Sequence, residues 1–159
     1  MTPIPHQRDP ARVLADLNRS VETRDESEID DALDAAFDVG LRPEFAPPLI
    51  QLLDLPVHRR HEDIVVGLQQ LKDPRAVDSL YRAVFIKHEY LNYDNFFGLA
   101  RKCTWALADI GTTEARSQLS QLASSENPLI ARYAQKRLDN WEEEQERKRD
   151  HETNQSSGA

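Results

Sequence analysis

The chain has 159 residues, 30% of them charged and 39% hydrophobic, with a net charge of −8. That balance fits one globular or helical domain, and no run approaches the roughly 20 consecutive apolar residues that a spanning helix needs. The opening MTPIPHQRDP has no apolar signal core, and Cys103 as the lone cysteine excludes an intrachain disulfide, so a cytoplasmic, monomeric protein without membrane attachment is expected.

Residues 1–8 are polar and Pro-rich and read as a disordered N-terminus. Asp9 as a cap and Pro10 at the first helical position start a helix with Val13, Leu14, Leu17 and Val21 on one face. After a charged joint at 23–26, a second helix carries Ile29, Leu33, Ala36 and Phe37, and Gly40 ends it in a left-handed position. Its outer face is acidic, with Glu28, Asp30, Asp31, Asp34 and Asp38. Pro47 and Pro48 fix the start of a third helix, which buries Leu49, Leu52 and Leu53 and stops at Pro56.

A fourth helix is expected over residues 57–71, with Ile64, Leu68 and Leu71 inward. Asp73 and Pro74 open a fifth, which buries Val77, Leu80 and Val84 and runs to about residue 87. Residues 87–97, KHEYLNYDNFF, interrupt the rhythm. The sixth helix buries Leu99, Cys103, Ala106, Leu107 and Ile110 and ends at Gly111. A seventh starts at Thr112 or Thr113 with Ala115, Leu119 and Leu122 inward, and Asn127-Pro128 starts an eighth with Ile130, Ala134, Leu138 and Trp141 in line. Residues 142–159 read as a charged helical extension, paired through Glu143–Arg147 and Glu144–Lys148, and a disordered tail. No strand pattern occurs. The fold class is all-α.

The apolar positions repeat. Ile64, Leu68, Leu71, Ala76 and Leu80 recur 39 residues later as Cys103, Leu107, Ile110, Ala115 and Leu119. Leu33, Phe37, Pro43 and Leu49 recur after 31 residues as Ile64, Leu68, Pro74 and Leu80, and Arg101, Cys103 and Leu107 recur after 31 as Arg132, Ala134 and Leu138. The difference of eight falls within residues 87–97, which therefore read as an insertion between repeats. Helix pairs at such periods must stack to close a core, the mark of an α-solenoid. The expected architecture is a short right-handed α-solenoid of antiparallel helix pairs, seven to eight helices over residues 9–141.

The pattern Arg101-x-x-x-x-Ala106-Leu107-x-x-Ile110-Gly111-x-x-x-Ala115-x-x-x-Leu119 resembles HEAT repeats, especially the short bacterial kind also found in phycobilisome lyase-like proteins. Leu71-Lys72-Asp73-Pro74-Arg75-Ala76-Val77-x-x-Leu80 and Arg132-x-Ala134-x-x-x-Leu138 repeat it. The resemblance implies the fold and says little of function, since such repeats serve many tasks. It implies that Arg101 and Arg132 brace neighbouring units, with Asp109 or Asp139 as acidic partners.

Candidate chemistry is sparse. His58, His61 and Glu62 resemble the His-Glu pairs that hold the di-iron centre of deoxyhypusine hydroxylase, but Ala100-Arg101 and Ala131-Arg132 stand where further pairs belong. Metal binding needs several convergent ligands, so solvated helix-start histidines, and no metal or other cofactor, are expected. Cys103 sits at a core position and reads as structural. Trp105 and Trp141 could stack a base as in HEAT-like DNA glycosylases, yet no basic channel accompanies them, so no nucleic acid is expected.

The favoured contact surface is the insertion, through Tyr90, Tyr93 and Asp94, with Asp78, Tyr81, Arg82, Gln118 and Gln121 on the second helices of the pairs. For Tyr90 and Tyr93 a role in filling the gap that the insertion opens weighs equally. Leu91 could plug the same gap, and Phe96 and Phe97 are assigned to the core.

Charge is unevenly spread. Residues 1–56 carry 12 acids and 5 bases, while residues 57–141 carry 10 acids and 12 bases. The sequence thus points to a non-catalytic protein-interaction module, an adaptor or scaffold with a protein partner. The alternatives are a dedicated inhibitor or immunity-type protein, using the acidic N-terminal half against a basic enzyme, and an enzyme accessory or metal-dependent hydroxylase.

Overall fold

Side-chain caps satisfy the free amides at the start of most helices. In the computed structural model, which describes residues 9–94, 97–143 and 145–146, Asp9 accepts from the Ala11 amide and Asp25 from Glu28. Asp73 accepts from Arg75, Thr112 from Ala115, and Asn127 from Leu129 and Ile130. Each cap fills one or two of the donors that the first turn of a helix leaves open.

The α-helices so delimited are α1 (Pro10–Thr23), α2 (Glu26–Val39), α3 (Ala46–Leu53), α4 (His61–Leu71), α5 (Val77–Ala83), α6 (Phe97–Ile110), α7 (Thr113–Ala123) and α8 (Pro128–Asp139). Single 3-10 turns at Pro43–Phe45 and Pro74–Ala76 lead into α3 and α5, and a longer 3-10 segment spans Glu89–Asp94. Among the described residues there is no strand, and no helix is long and apolar enough to cross a membrane. Residues 1–8, Phe96, the pairs Glu143–Arg147 and Glu144–Lys148, the tail from 147, and the side chains of Tyr93 and Asp94 lie outside the described residues.

Three boundaries differ from the sequence expectation. Helix α4 begins at His61 rather than Val57, because the Arg60 amide donates to His58 Nδ1 and the His58 ring folds back to bond the Leu52 carbonyl. Helix α5 ends at Ala83, and Val84, Phe85 and Ile86 continue in three-residue turns instead of reaching residue 87. Gly40 has φ of 95° but ψ of 134°, so it straightens the chain after α2 rather than curling it in the left-handed helical form.

Chain neighbours pack together as α1 on α2, α3 on α4, α5 on α6 and α7 on α8. Helices one further apart pack as well: α1 on α3, α3 on α5, α5 on α7, and α4 on α6, α6 on α8. One core runs through these contacts. Leu17, Leu33, Leu49, Leu68, Leu80 and Leu107 are fully buried in it, and Leu91 and Trp141 are buried at its margins. Polar contacts link α4 and α5 to later helices at a constant separation of 40 residues. Glu62 pairs with Lys102, Gln69 Nε2 donates to Asp109 at 2.7 Å, and Gln118 Nε2 reaches Asp78 at 3.4 Å.

Candidate functional site

The histidines expected to be solvated are buried. His58 and His61 expose 2% and 0% of their surface. The His61 ring lies between two others, 4.0 Å from the His58 centroid and 3.7 Å from that of His88. The short linker after α3 turns both side chains inward, onto the carbonyls of Leu52 in its last turn and of Leu55 just beyond it.

Hydrogen bonds fix the proton on each buried ring. His58 Nε2 donates to the Leu52 carbonyl at 2.7 Å, leaving Nδ1 to accept from the Arg60 amide at 3.0 Å. His61 Nε2 donates to the Leu55 carbonyl at 2.7 Å, and its Nδ1 accepts from the Tyr90 hydroxyl at 2.7 Å. The hydroxyl oxygen in turn accepts from the His61 amide at 3.0 Å. Both rings are neutral, one nitrogen a donor and the other an acceptor.

Burial, and then the neighbouring His58 and His88 rings, push the His61 pKa down to about 3, against the Leu55 bond that favours charge. Burial also lowers His58 and His88 below the ordinary imidazole value.

This donor set does not fit a di-iron centre. All four nitrogens of His58 and His61 are committed to hydrogen bonds, and Glu62 pairs with Lys102. Among the described residues no group of three or more His, Cys, Asp or Glu side chains could hold a metal ion.

The interaction candidates scatter. Tyr90 is half-buried with its hydroxyl in the histidine cluster. Asp78 and Gln118 face each other across α5 and α7, and Arg82 bonds Asp54 and Ser79. Tyr81 packs edge-on against Phe85, while Gln121 is exposed.

The expected arginine braces are replaced by another. Arg101 and Arg132 point to solvent, and Asp109 and Asp139 accept from Gln69 and Gln135. The guanidinium that joins these helices belongs to Arg137, 4% exposed and 3.3 Å above the centre of the Trp105 ring. Sequence spacing missed it because 137 lies outside the repeated set. Cys103 is fully buried, and burial raises its thiol pKa well above the ordinary value, as a structural cysteine requires.

An open groove of about 900 Å³ lies along α1 and α2. Asp9, Arg12, Asp16 and Arg19 line it from α1, and Glu28, Asp31 and Asp34 from α2, over a floor that includes Val13, Ala32 and Ala35. Five carboxylates thus face two guanidiniums. From Asp34 a second hollow of about 610 Å³ continues past Asp38 to Arg60 and Asp63 of α4. The acidic face of α2 was visible in the sequence. The facing acids at α1 are less legible, although Asp9, its cap, and Asp16 stand two turns apart on one side of that helix.

Such a surface attracts cationic groups. No protein family, curated protein or solved structure matches this chain.

Proposed function

We propose that the chain is a non-catalytic protein-interaction module, a short right-handed α-solenoid of antiparallel helix pairs acting as an adaptor or scaffold. Support for the architecture comes from helices that pack on their next-but-one neighbours and from three polar contacts at a constant separation of 40 residues. Stacked copies of one unit have that regularity.

The observation that carries the binding role is the groove along α1 and α2, with its five carboxylates. A partner segment bearing Lys or Arg fits it, since opposite potentials steer association and disfavour acidic competitors. The same observation favours a second reading, a dedicated inhibitor that covers one basic enzyme.

The test compares the tagged full chain with its Asp31→Lys/Asp34→Lys variant in retaining partners from native extract at low and high salt, with helicity checked by circular dichroism. Several proteins lost in the variant and in high salt support an adaptor. One stoichiometric protein lost in the same way supports the inhibitor. Identical retention by both chains, or none by either, overturns the groove as the binding surface.

A further inference from the structure

The histidine cluster joins three parts of the chain that are distant in sequence: the end of α3 through the Leu52 and Leu55 carbonyls, the start of α4 through His58 and His61, and the segment after α5 through His88 and Tyr90. The last part is held on α4 by a ring stack and by a hydroxyl that bonds both the amide and Nδ1 of His61. We propose that residues 88–90 form an acid-released latch, docked while the three imidazoles are neutral and freed when the cluster takes up a proton.

The geometry leaves little room for charge. A proton on His61 must go to Nδ1, since Nε2 already carries one for the Leu55 carbonyl. That puts a donor against the Tyr90 hydroxyl and a positive charge between two aromatic faces. The surrounding charges do not answer it. Burial outweighs the pull of Asp30 and Glu26 of α2 on His58, and Arg60 opposes its protonation. Asp34 and Asp63 are engaged by Arg60, which also lies near Asp30, and Glu62 of α4 by Lys102 of α6. On the latch itself Lys87 and Glu89 flank His88 and are exposed. Opening removes one face of the His61 sandwich and lets the ring charge in water.

An imidazole with an ordinary pKa near 6.5 that is neutral only when docked raises the opening constant about thirtyfold between pH 7.5 and 5.0. Hydrogen exchange of the His61 amide reads this directly, because its bond to the Tyr90 hydroxyl exists only in the docked form. In the wild-type chain, protection corrected for intrinsic rate should fall about thirtyfold or more at pH 5.0, and it should stay below that of the best-protected amides of α7 and α8 at both pH values. His61→Gln, whose amide can mimic the neutral ring without titrating, should lose most of that response. Unchanged protection at pH 5.0, protection equal to that of the best-protected α7 and α8 amides, or an undiminished response in His61→Gln would each overturn the latch. Should His61→Gln not fold, Tyr90→Phe decides: protection at pH 7.5 must already be lower than in wild type, and equality overturns the proposal.

Discussion

His61 and Tyr90 exchange two hydrogen bonds across 29 residues: the His61 amide donates to the hydroxyl oxygen, and the hydroxyl donates to Nδ1 of the same residue. One phenol therefore satisfies both the first amide of α4 and a buried ring. Tyr90→Phe keeps the ring and leaves two polar groups without that partner, so it should destabilise the chain by about 1–3 kcal/mol in a denaturant melt. A solvent-facing tyrosine awaiting a partner would change stability by less than about 0.5 kcal/mol.

The same cluster sets the sign of the pH dependence. The folded pKa of His61, about 3, lies below the unfolded value of 6.5, so between those limits the unfolded chain binds a proton that the folded chain refuses. Its stabilising contribution is complete above pH 6.5 and is lost as pH falls toward 3, with a slope approaching about 1.4 kcal/mol per pH unit. His58 and His88 act in the same direction. The Arg75 hydrogen bond holds Asp73 below its ordinary value, which adds loss only in stronger acid, below about pH 4. Thermal melts at pH 7.5, 6.0 and 5.0 should show falling midpoints, and a flat series would contradict the buried neutral rings.

Repeat register makes a separate demand on α6. Leu107 is fully buried, and so is Leu68, which stands 39 residues earlier in the aligned pattern. Leu107→Ala and Leu68→Ala should each cost roughly 2–5 kcal/mol in chemical denaturation, as large-to-small changes in a packed core do. A cost near zero at either position would break the equivalence.

Periodicity carried most of the fold because it reports burial directly. The stripes of Val13 with Leu17, Ile29 with Leu33 and Ile64 with Leu68 are the buried faces of α1, α2 and α4. What spacing could not carry was the fate of polar side chains. His58 and His61 look like solvated residues at a helix start, and only the tertiary neighbours Leu52, Leu55 and Tyr90 make burial tolerable. Arg137 is illegible in the sequence for a similar reason. Its partner is a ring face 32 residues upstream, and no local pattern encodes that.

Arg137 consequently separates from the two arginines that recur in register. Its guanidinium is buried over Trp105, where cation–π attraction and packing of the stem combine. Arg137→Ala should cost about 1–2 kcal/mol in a urea melt, whereas Arg101→Ala and Arg132→Ala should stay within about 0.5 kcal/mol. Equal costs at all three positions would return the bracing role to the repeated pair.

Two glycines with positive φ test whether space or backbone decides a substitution. A Cβ on Gly40 would meet nothing within 4 Å, while one on Gly111 would lie 2.8 Å from Gln145 Oε1. Counting neighbours ranks Gly111→Ala as the worse change. The backbone ranks them the other way. At Gly40 the combination of φ 95° and ψ 134° lies outside the left-handed helical well, in territory that L residues scarcely enter. The group crowding Gly111 is the end of a flexible side chain, bonded through Nε2 to the Ala108 carbonyl at 2.9 Å. Gly40→Ala should therefore cost about 1–3 kcal/mol, and Gly111→Ala about 1–2 kcal/mol. In a Gln145→Ala background the Gly111→Ala cost should shrink and the Gly40→Ala cost should not. Differential scanning calorimetry of the four variants checks the order. A larger loss at Gly111 that persists without Gln145 would mean that the turn after α6 constrains the backbone more tightly than its φ of 72° indicates.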